Sequence, residues 1–160
     1  MYNEIKGDLI QEAKKGSFDV IAHGCNCFCR MKRGLAPQMA KAFGCDKYIQ
    51  ENSMFEGDIN KLGNIDHQMI ILEEKLSPQK PFFYVVNCYT QYEWSTETKP
   101  FDYEAFTLCM RKMNHIFKDK HIGLPQIGSH LAGGDWERIK MIIQNELRDC
   151  DVTIVIYEPE

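Results

Sequence analysis

Two segments of this chain bring together residue types that can do chemistry, at spacings that let them act on one ligand. The first runs Ala22-His23-Gly24-Cys25-Asn26-Cys27-Phe28-Cys29-Arg30-Met31-Lys32-Arg33-Gly34-Leu35-Ala36, and the second Leu124-Pro125-Gln126-Ile127-Gly128-Ser129-His130-Leu131-Ala132-Gly133-Gly134-Asp135-Trp136-Glu137. His23 exchanges protons near neutral pH and is a candidate general acid or base. Asn26 offers a donor and an acceptor on one group, as a pair of sugar hydroxyls requires. Gly128, Gly133 and Gly134 let the backbone turn sharply or lie close to a ligand. The helix expected after them aims free N–H groups and the positive end of its dipole at that ligand, which suits phosphate oxygens. Each feature also has a plainer reading: His23 as a half-buried support, the glycine loop as a connection, Asp135 as a helix N-cap. Both segments lie between a buried strand and a helix, so both can face one cleft at the carboxyl end of a sheet. That coincidence favours a nucleotide-like anion more than either loop does separately.

The chain has seven cysteines. Cys25, Cys27 and Cys29 alternate but lack paired C-x2-C knuckles, and no second Cys/His cluster with ligand spacing follows. The expectation is buried thiols, with no metal, no disulfide and no cofactor.

The elements that must position these loops alternate between short apolar runs and helical patterns, an α/β arrangement. Strands are expected at Tyr2 to Ile5, closed by the turn-forming pair Gly7-Asp8, and at Phe18 to Ala22. Leu35 to Phe43 reads as a helix with Pro37 in its first turn and Gly44 as its stop. Residues 45–66 read as loop with short strand pieces. Gln68 to Leu72 and Phe82 to Cys88 read as strands. A helix over Asp102 to Phe117 carries Phe106, Cys109, Met110, Met113, Ile116 and Phe117 on one stripe. Ile122 to Pro125 is a strand. Trp136 to Leu147 is a helix with Trp136, Ile139, Ile142, Ile143 and Leu147 inward, and Val152 to Tyr157 closes the fold as a strand. One domain over residues 1–160 is expected.

With 44% hydrophobic and 26% charged residues the composition is that of a globular protein, not a disordered one. A net charge of -4, without a Lys/Arg-rich block, argues against a broad footprint on duplex nucleic acid. The polar start and the lack of a long apolar run predict a cytoplasmic protein (host cytoplasm for a viral one) with no membrane contact.

Four ordered motifs resemble the macrodomain family. They are Gly7-Asp8-Leu9-Ile10, His23-Gly24-Cys25-Asn26-Cys27, the helix start Gly34-Leu35-Ala36, and Pro125-Gln126-Ile127-Gly128 through Gly133-Gly134-Asp135-Trp136, with Val152 to Tyr157 as closing strand. The chain looks closest to bacteriophage macrodomain proteins and to the branch holding the yeast-type ADP-ribose 1″-phosphate phosphatase and the terminal ADP-ribose protein glycohydrolase. The resemblance implies a three-layer α/β/α fold with a central mixed, mostly parallel sheet. It also implies ADP-ribose or a related nucleotide as ligand, ADP-ribosylated macromolecules as further partners, and a monomer.

Carried over, the resemblance has Asp8 accept the adenine amino group, with the Leu9 backbone beside it. Asn26 would face the distal ribose, and Met31, Lys32, Arg33 and Gly34 would cradle that ribose and the second phosphate. Gly128, Ser129, His130, Leu131, Ala132 and Gly133 would wrap the diphosphate. Cys25, Gln126 and Tyr157 complete the implied binding set.

Three departures shape the functional expectation. Lys32 and Arg33 stand where the family keeps small residues, and so does His130. Cys88 and Ala132 stand where the glycohydrolase branch has its lysine and aspartate, which argues against lysine-adduct chemistry. The expected function is a phosphatase for ADP-ribose 1″-phosphate, with His23, Asn26 and His130 as catalytic candidates. The alternatives are a non-catalytic binding module or sponge for ADP-ribose or a related nucleotide signal, and a de-ADP-ribosylase using substrate-assisted water attack.

Overall fold

The computed structural model describes residues 1–47, 56–95 and 97–158. Its elements run β1 (Tyr2–Gly7), α1 (Leu9–Lys14), β2 (Val20–Asn26), α2 (Ala36–Phe43), a 3-10 turn (Ile59–Lys61), β3 (Ile65–Ile71), β4 (Phe82–Gln91), α3 (Tyr103–Ile116), β5 (His121–Leu124), α4 (Trp136–Glu146) and β6 (Asp151–Tyr157). The strands form one sheet in the order β1-β6-β5-β2-β4-β3. Every neighbouring pair is parallel except β3 with β4. This is the mixed, mostly parallel sheet expected.

Because the sheet is covered on both faces, its central strands are apolar without alternation. Leu9, Ile10 and Ala13 of α1 and Met39 of α2 pack with Phe18, Ile21, Phe83, Val85 and Val155 on one face. Phe106, Cys109, Met110 and Met113 of α3, with Ile139 and Ile143 of α4, pack on Val20, Ala22, Val86, Ile122 and Ile154 on the other. Trp136 and Ile142 are half-buried against this second core, as their inward placement predicted. Ile116 departs from the predicted stripe: it is 49% exposed, while Phe117 closes the helix inward. Among the described residues no helix is long and apolar enough to cross a membrane.

Three of the differences from the sequence reading bear on the site. β2 does not end at Ala22 but continues through His23, Gly24 and Cys25 to Asn26, because β4 pairs with it all along that stretch. A helix, α1, follows Gly7-Asp8 where only a turn was expected. Asp8 caps it by accepting from the Gln11 N–H at 3.0 Å. The predicted loop over 45–66 falls partly on residues 48–55, outside the described residues. In the remainder, the 3-10 turn precedes β3, which begins at Ile65.

Candidate nucleotide-binding cleft

The carboxyl ends of the strands open into a cavity of about 620 Å³. Asp8, Leu9, His23, Cys25, Asn26, Met31, Lys32, Arg33, Gly34, Gln126, Gly128, His130, Leu131, Ala132 and Tyr157 all line it. Two residues of the predicted set do not. Ser129 turns inward to donate to the Gln126 carbonyl at 2.9 Å, and the open side of Gly133 faces Lys99. Strand order sets the direction of the cleft. Asp8 and Tyr157 stand at the β1/β6 side and Gln91 at the end of β4, three strand spacings or roughly 14 Å away.

The two loops present backbone donors to this space. Gly134 N–H closes the second loop on the Gly128 carbonyl at 2.7 Å, and Gly133 N–H closes on His130 at 3.2 Å. Between these closures, the N–H groups of Gly128, His130, Leu131 and Ala132 have no partner among the described residues. The same holds for Lys32, Arg33 and Gly34 in the first loop. Backbone N–H groups left free along a loop are the kind of donors that can hold an anion. The loops also meet: a Cβ on Gly34 would sit 3.7 Å from the Leu131 Cδ1. Asp135 caps α4 through the Glu137 N–H at 3.1 Å, so the plainer reading of that residue holds.

The side chains expected to carry catalysis are placed differently from one another. His23 is 2% exposed. Its Nε2 lies 2.7 Å from Asn87 Oδ1, while Asn87 Nδ2 donates to the Cys45 carbonyl at 2.9 Å and to Asp66 Oδ1 at 2.8 Å. Since both Asn87 donors are committed, its Oδ1 must accept, and the His23 proton sits on Nε2. Burial holds the imidazole neutral, with its pKa pushed down to about 4. His23 is therefore corrected from acid/base to a support of the sheet end. Asn26 is also largely committed: Oδ1 accepts from the Phe28 and Arg30 N–H groups at 3.0 and 3.2 Å, and Nδ2 donates to the Arg30 carbonyl at 3.0 Å. One Nδ2 hydrogen is left for a ligand. Burial raises the Cys25 thiol well above its ordinary range, so it is no nucleophile.

Lys32, Arg33 and His130 are exposed, line the cleft, and have no ion-pair partner among the described residues. Arg30, by contrast, is paired with Glu56 at 3.1 Å. Cys88 is fully buried and packs on Met113, and its thiol is held well above its ordinary range, so it is no nucleophile. Sequence reasoning missed Arg30, Thr90, Gln91 and Trp94 as cleft residues. Only the pairing of β4 with β2 brings the last three beside the first loop.

The buried His23 has a measurable consequence. Above pH 6.5 the imidazole is neutral in both the folded and the unfolded chain. Below it, the unfolded chain takes up a proton that the folded chain refuses until about pH 4. Stability should fall by about 3 kcal/mol across that window and be unaffected above it. Urea midpoints from pH 7 to 4 measure this, and a His23→Gln variant should flatten the slope. An equal slope in the variant would assign the acid limb elsewhere.

No family model matches the chain. It is 32% identical, over 97% of its length and 96% of the other, to the uncharacterized 17.5 kDa protein in the tk-vs intergenic region of Enterobacteria phage T4. The macrodomain of Mycobacterium tuberculosis DarG superposes with a TM-score of 0.64 at 17% identity, covering 100% of this chain and 99% of that one. Thermosipho africanus DarTG in complex with ADP-ribose superposes with a TM-score of 0.68 at 14% identity, covering 98% of this chain and 41% of that one. The chain has the macrodomain fold and is a relative of the phage T4 protein. The likeness to the two solved structures is one of fold. Within this fold the chain has a glycine-rich second loop, and Lys32 and Arg33 of the first loop line the cleft without an ion-pair partner among the described residues.

Proposed function

We propose that this macrodomain binds ADP-ribose bearing an anionic group on its distal ribose, and that it hydrolyses ADP-ribose 1″-phosphate. The observation that carries the reading is the set of three uncommitted basic side chains, Lys32, Arg33 and His130, on two touching loops that line the cleft. Adenine lies at the Asp8 and Tyr157 end. The diphosphate takes the free N–H groups of Gly128 to Ala132, and the distal ribose meets the remaining Asn26 hydrogen. The terminal phosphate then falls to Lys32 and Arg33, an arginine fork beside a point charge. Water attacks phosphorus, the bond between phosphorus and the ribose oxygen breaks, and His130 protonates that departing oxygen. The products are inorganic phosphate and ADP-ribose.

A specific observation favours a second reading, binding without turnover. His23 is buried and neutral and Asn26 is spent on its own turn, which leaves His130 as the accessible acid. Calorimetry with ADP-ribose and its 1″-phosphate, alongside an assay of phosphate release, separates the two. The phosphorylated ligand should bind at least about tenfold tighter, and Lys32→Ala with Arg33→Ala should erase that preference. His130→Ala should abolish release while leaving binding intact. Tight binding without release supports the second reading, and no binding of either ligand defeats both.

A further inference from the structure

The sheet ends at β3, on the edge opposite β1, and two bonds at the ends of the β3–β4 ladder show which backbone groups face outward there. The Tyr89 N–H donates to the Asn64 carbonyl at 3.0 Å, and the Leu72 N–H donates to the Pro81 carbonyl at 2.9 Å. Both bonds lie on the register that pairs Ile65 with Cys88 and Ile71 with Phe82. Bonded and non-bonded pairs alternate along an antiparallel ladder, so the even-numbered residues from 64 to 72 turn their N–H and C=O groups toward β4. Ile65, His67, Met69 and Ile71 turn theirs outward, where they meet no partner among the described residues.

The same edge is apolar on one face. His67, Met69 and Ile71 stand opposite Val86, Tyr84 and Phe82 of β4. The His67 ring lies 5.5 Å from that of Phe117, which ends α3, so this is the face that α3 packs on. Its far end lies open: Ile71 is 73% exposed, Met69 43% and Phe82 38%. Natural sheets blunt such edges with charges, prolines or bulges. β1, at the other edge, carries Glu4 and Lys6. From 65 to 72 the chain has no proline, lysine, arginine or glutamate, and β3 pairs with β4 without a bulge. Its one carboxylate, Asp66, is turned back into the fold, onto Asn87 and Tyr89.

We propose that β3 pairs antiparallel with β3 of a second copy of this chain, about a two-fold axis at Gln68, joining the two sheets into one. The edge is complementary to itself in that register. Ile65 falls opposite Ile71 and His67 opposite Met69, in both directions, so every outward-facing residue of the strand exchanges backbone bonds. Each exposed Ile71 is covered by Ile65 of the second copy, an apolar cross-strand pair. No like charges meet, because Asp66 falls opposite Ile70 and Gln68 opposite itself, an amide that both donates and accepts. A shift by two residues leaves one of the outward-facing residues without a mate. Antiparallel pairing also points the two strand-end clefts in opposite directions, so neither is covered. The dimer stands in place of the monomer that the sequence resemblance implies.

The test is sedimentation equilibrium of the full chain at about 100 μM, well above a micromolar Kd, where the mass of two chains is expected. Ile71→Lys should weaken the dimer by more than about a hundredfold, because pairing would bury an unpartnered ammonium from each copy. Its circular dichroism spectrum should match that of the native chain, since the side chain it replaces is exposed. Gln68→Cys checks the register. The two substituted positions face each other across the axis at a Cα separation of about 4.5 Å, within disulfide reach. Oxidised glutathione should therefore convert that variant, and not the native chain, to a covalent dimer. A native chain that stays monomeric overturns the proposal, and leaves the edge to an extended segment of another protein or to none. A dimer that survives Ile71→Lys, or that Gln68→Cys does not cross-link, overturns it as well.

Discussion

An Asn87→Ala variant is expected to lose about 3–5 kcal/mol of stability, among the largest effects of any single substitution in this fold. Asn87 is fully buried in the middle of β4, and three groups depend on it. The His23 Nε2–H loses its acceptor at 2.7 Å, and the Cys45 carbonyl and the Asp66 carboxylate lose donors at 2.9 and 2.8 Å. Burial already pushes the Asp66 carboxyl above its ordinary pKa, although the Tyr89 hydroxyl also donates to it. Stripping one donor from a carboxylate in that setting leaves charge or proton without compensation. Urea denaturation at pH 7 measures the loss. A value below about 1 kcal/mol would mean that water replaces the amide at little cost, and that the network is not a support of the cleft floor.

The second large effect is expected at Gly128, where backbone geometry and packing act in the same direction. Its φ is +73, and a Cβ would lie 2.3 Å from the Phe101 ring. Phe101 cannot yield freely, since it is 7% exposed and packs on Tyr103 and Phe106. Gly128→Ala should therefore cost about 2–5 kcal/mol, from left-handed strain together with overpacking. The displaced loop should also lose more than about tenfold in ADP-ribose affinity, because the free N–H groups no longer converge. Gly34→Ala is the contrasting variant. Its φ is +64, but a Cβ there makes only an ordinary contact with Leu131 at 3.7 Å. It should cost about 1 kcal/mol, the left-handed penalty alone. Equal losses at the two positions would remove Phe101 from the account.

These two variants probe different halves of the site. Asn87 supports the floor from behind, through His23, and touches nothing that a ligand would touch. Gly128 shapes the wall that meets the phosphates. A ligand titration on a folded Asn87→Ala protein should therefore change less than one on Gly128→Ala.

Much of the architecture was legible because local pattern carries it. The stripe of Phe106, Cys109, Met110 and Met113 marks α3, and Ile139 and Ile143 mark α4. Gly44 ends α2 in the left-handed conformation expected of a helix stop. The two chemistry-bearing loops were legible for a similar reason, because each sets glycines and polar residues between a strand and a helix. The α1 helix was missed because six residues hold too little periodicity to be read, and Asp8 serves equally well as turn or cap.

What the sequence by itself determined, then, is the set of elements, the residues at their junctions and the glycine-rich loops. These depend on neighbours a few positions apart. Only the tertiary structure decided which of the junction side chains are free. His23 looks like an acid or base until Asn87, 64 positions away, claims its proton and burial keeps it neutral. Lys32 and Arg33 look like solvated charges until the fold sets them on the lining of the cleft. Trp94 carries no signal at all until β4 lies beside β2 and brings it to the mouth of the cleft. The physical reason is the same in each case: proton affinity, exposure and ion pairing are set by whatever packs nearby, and strand order, not local sequence, brings those partners together.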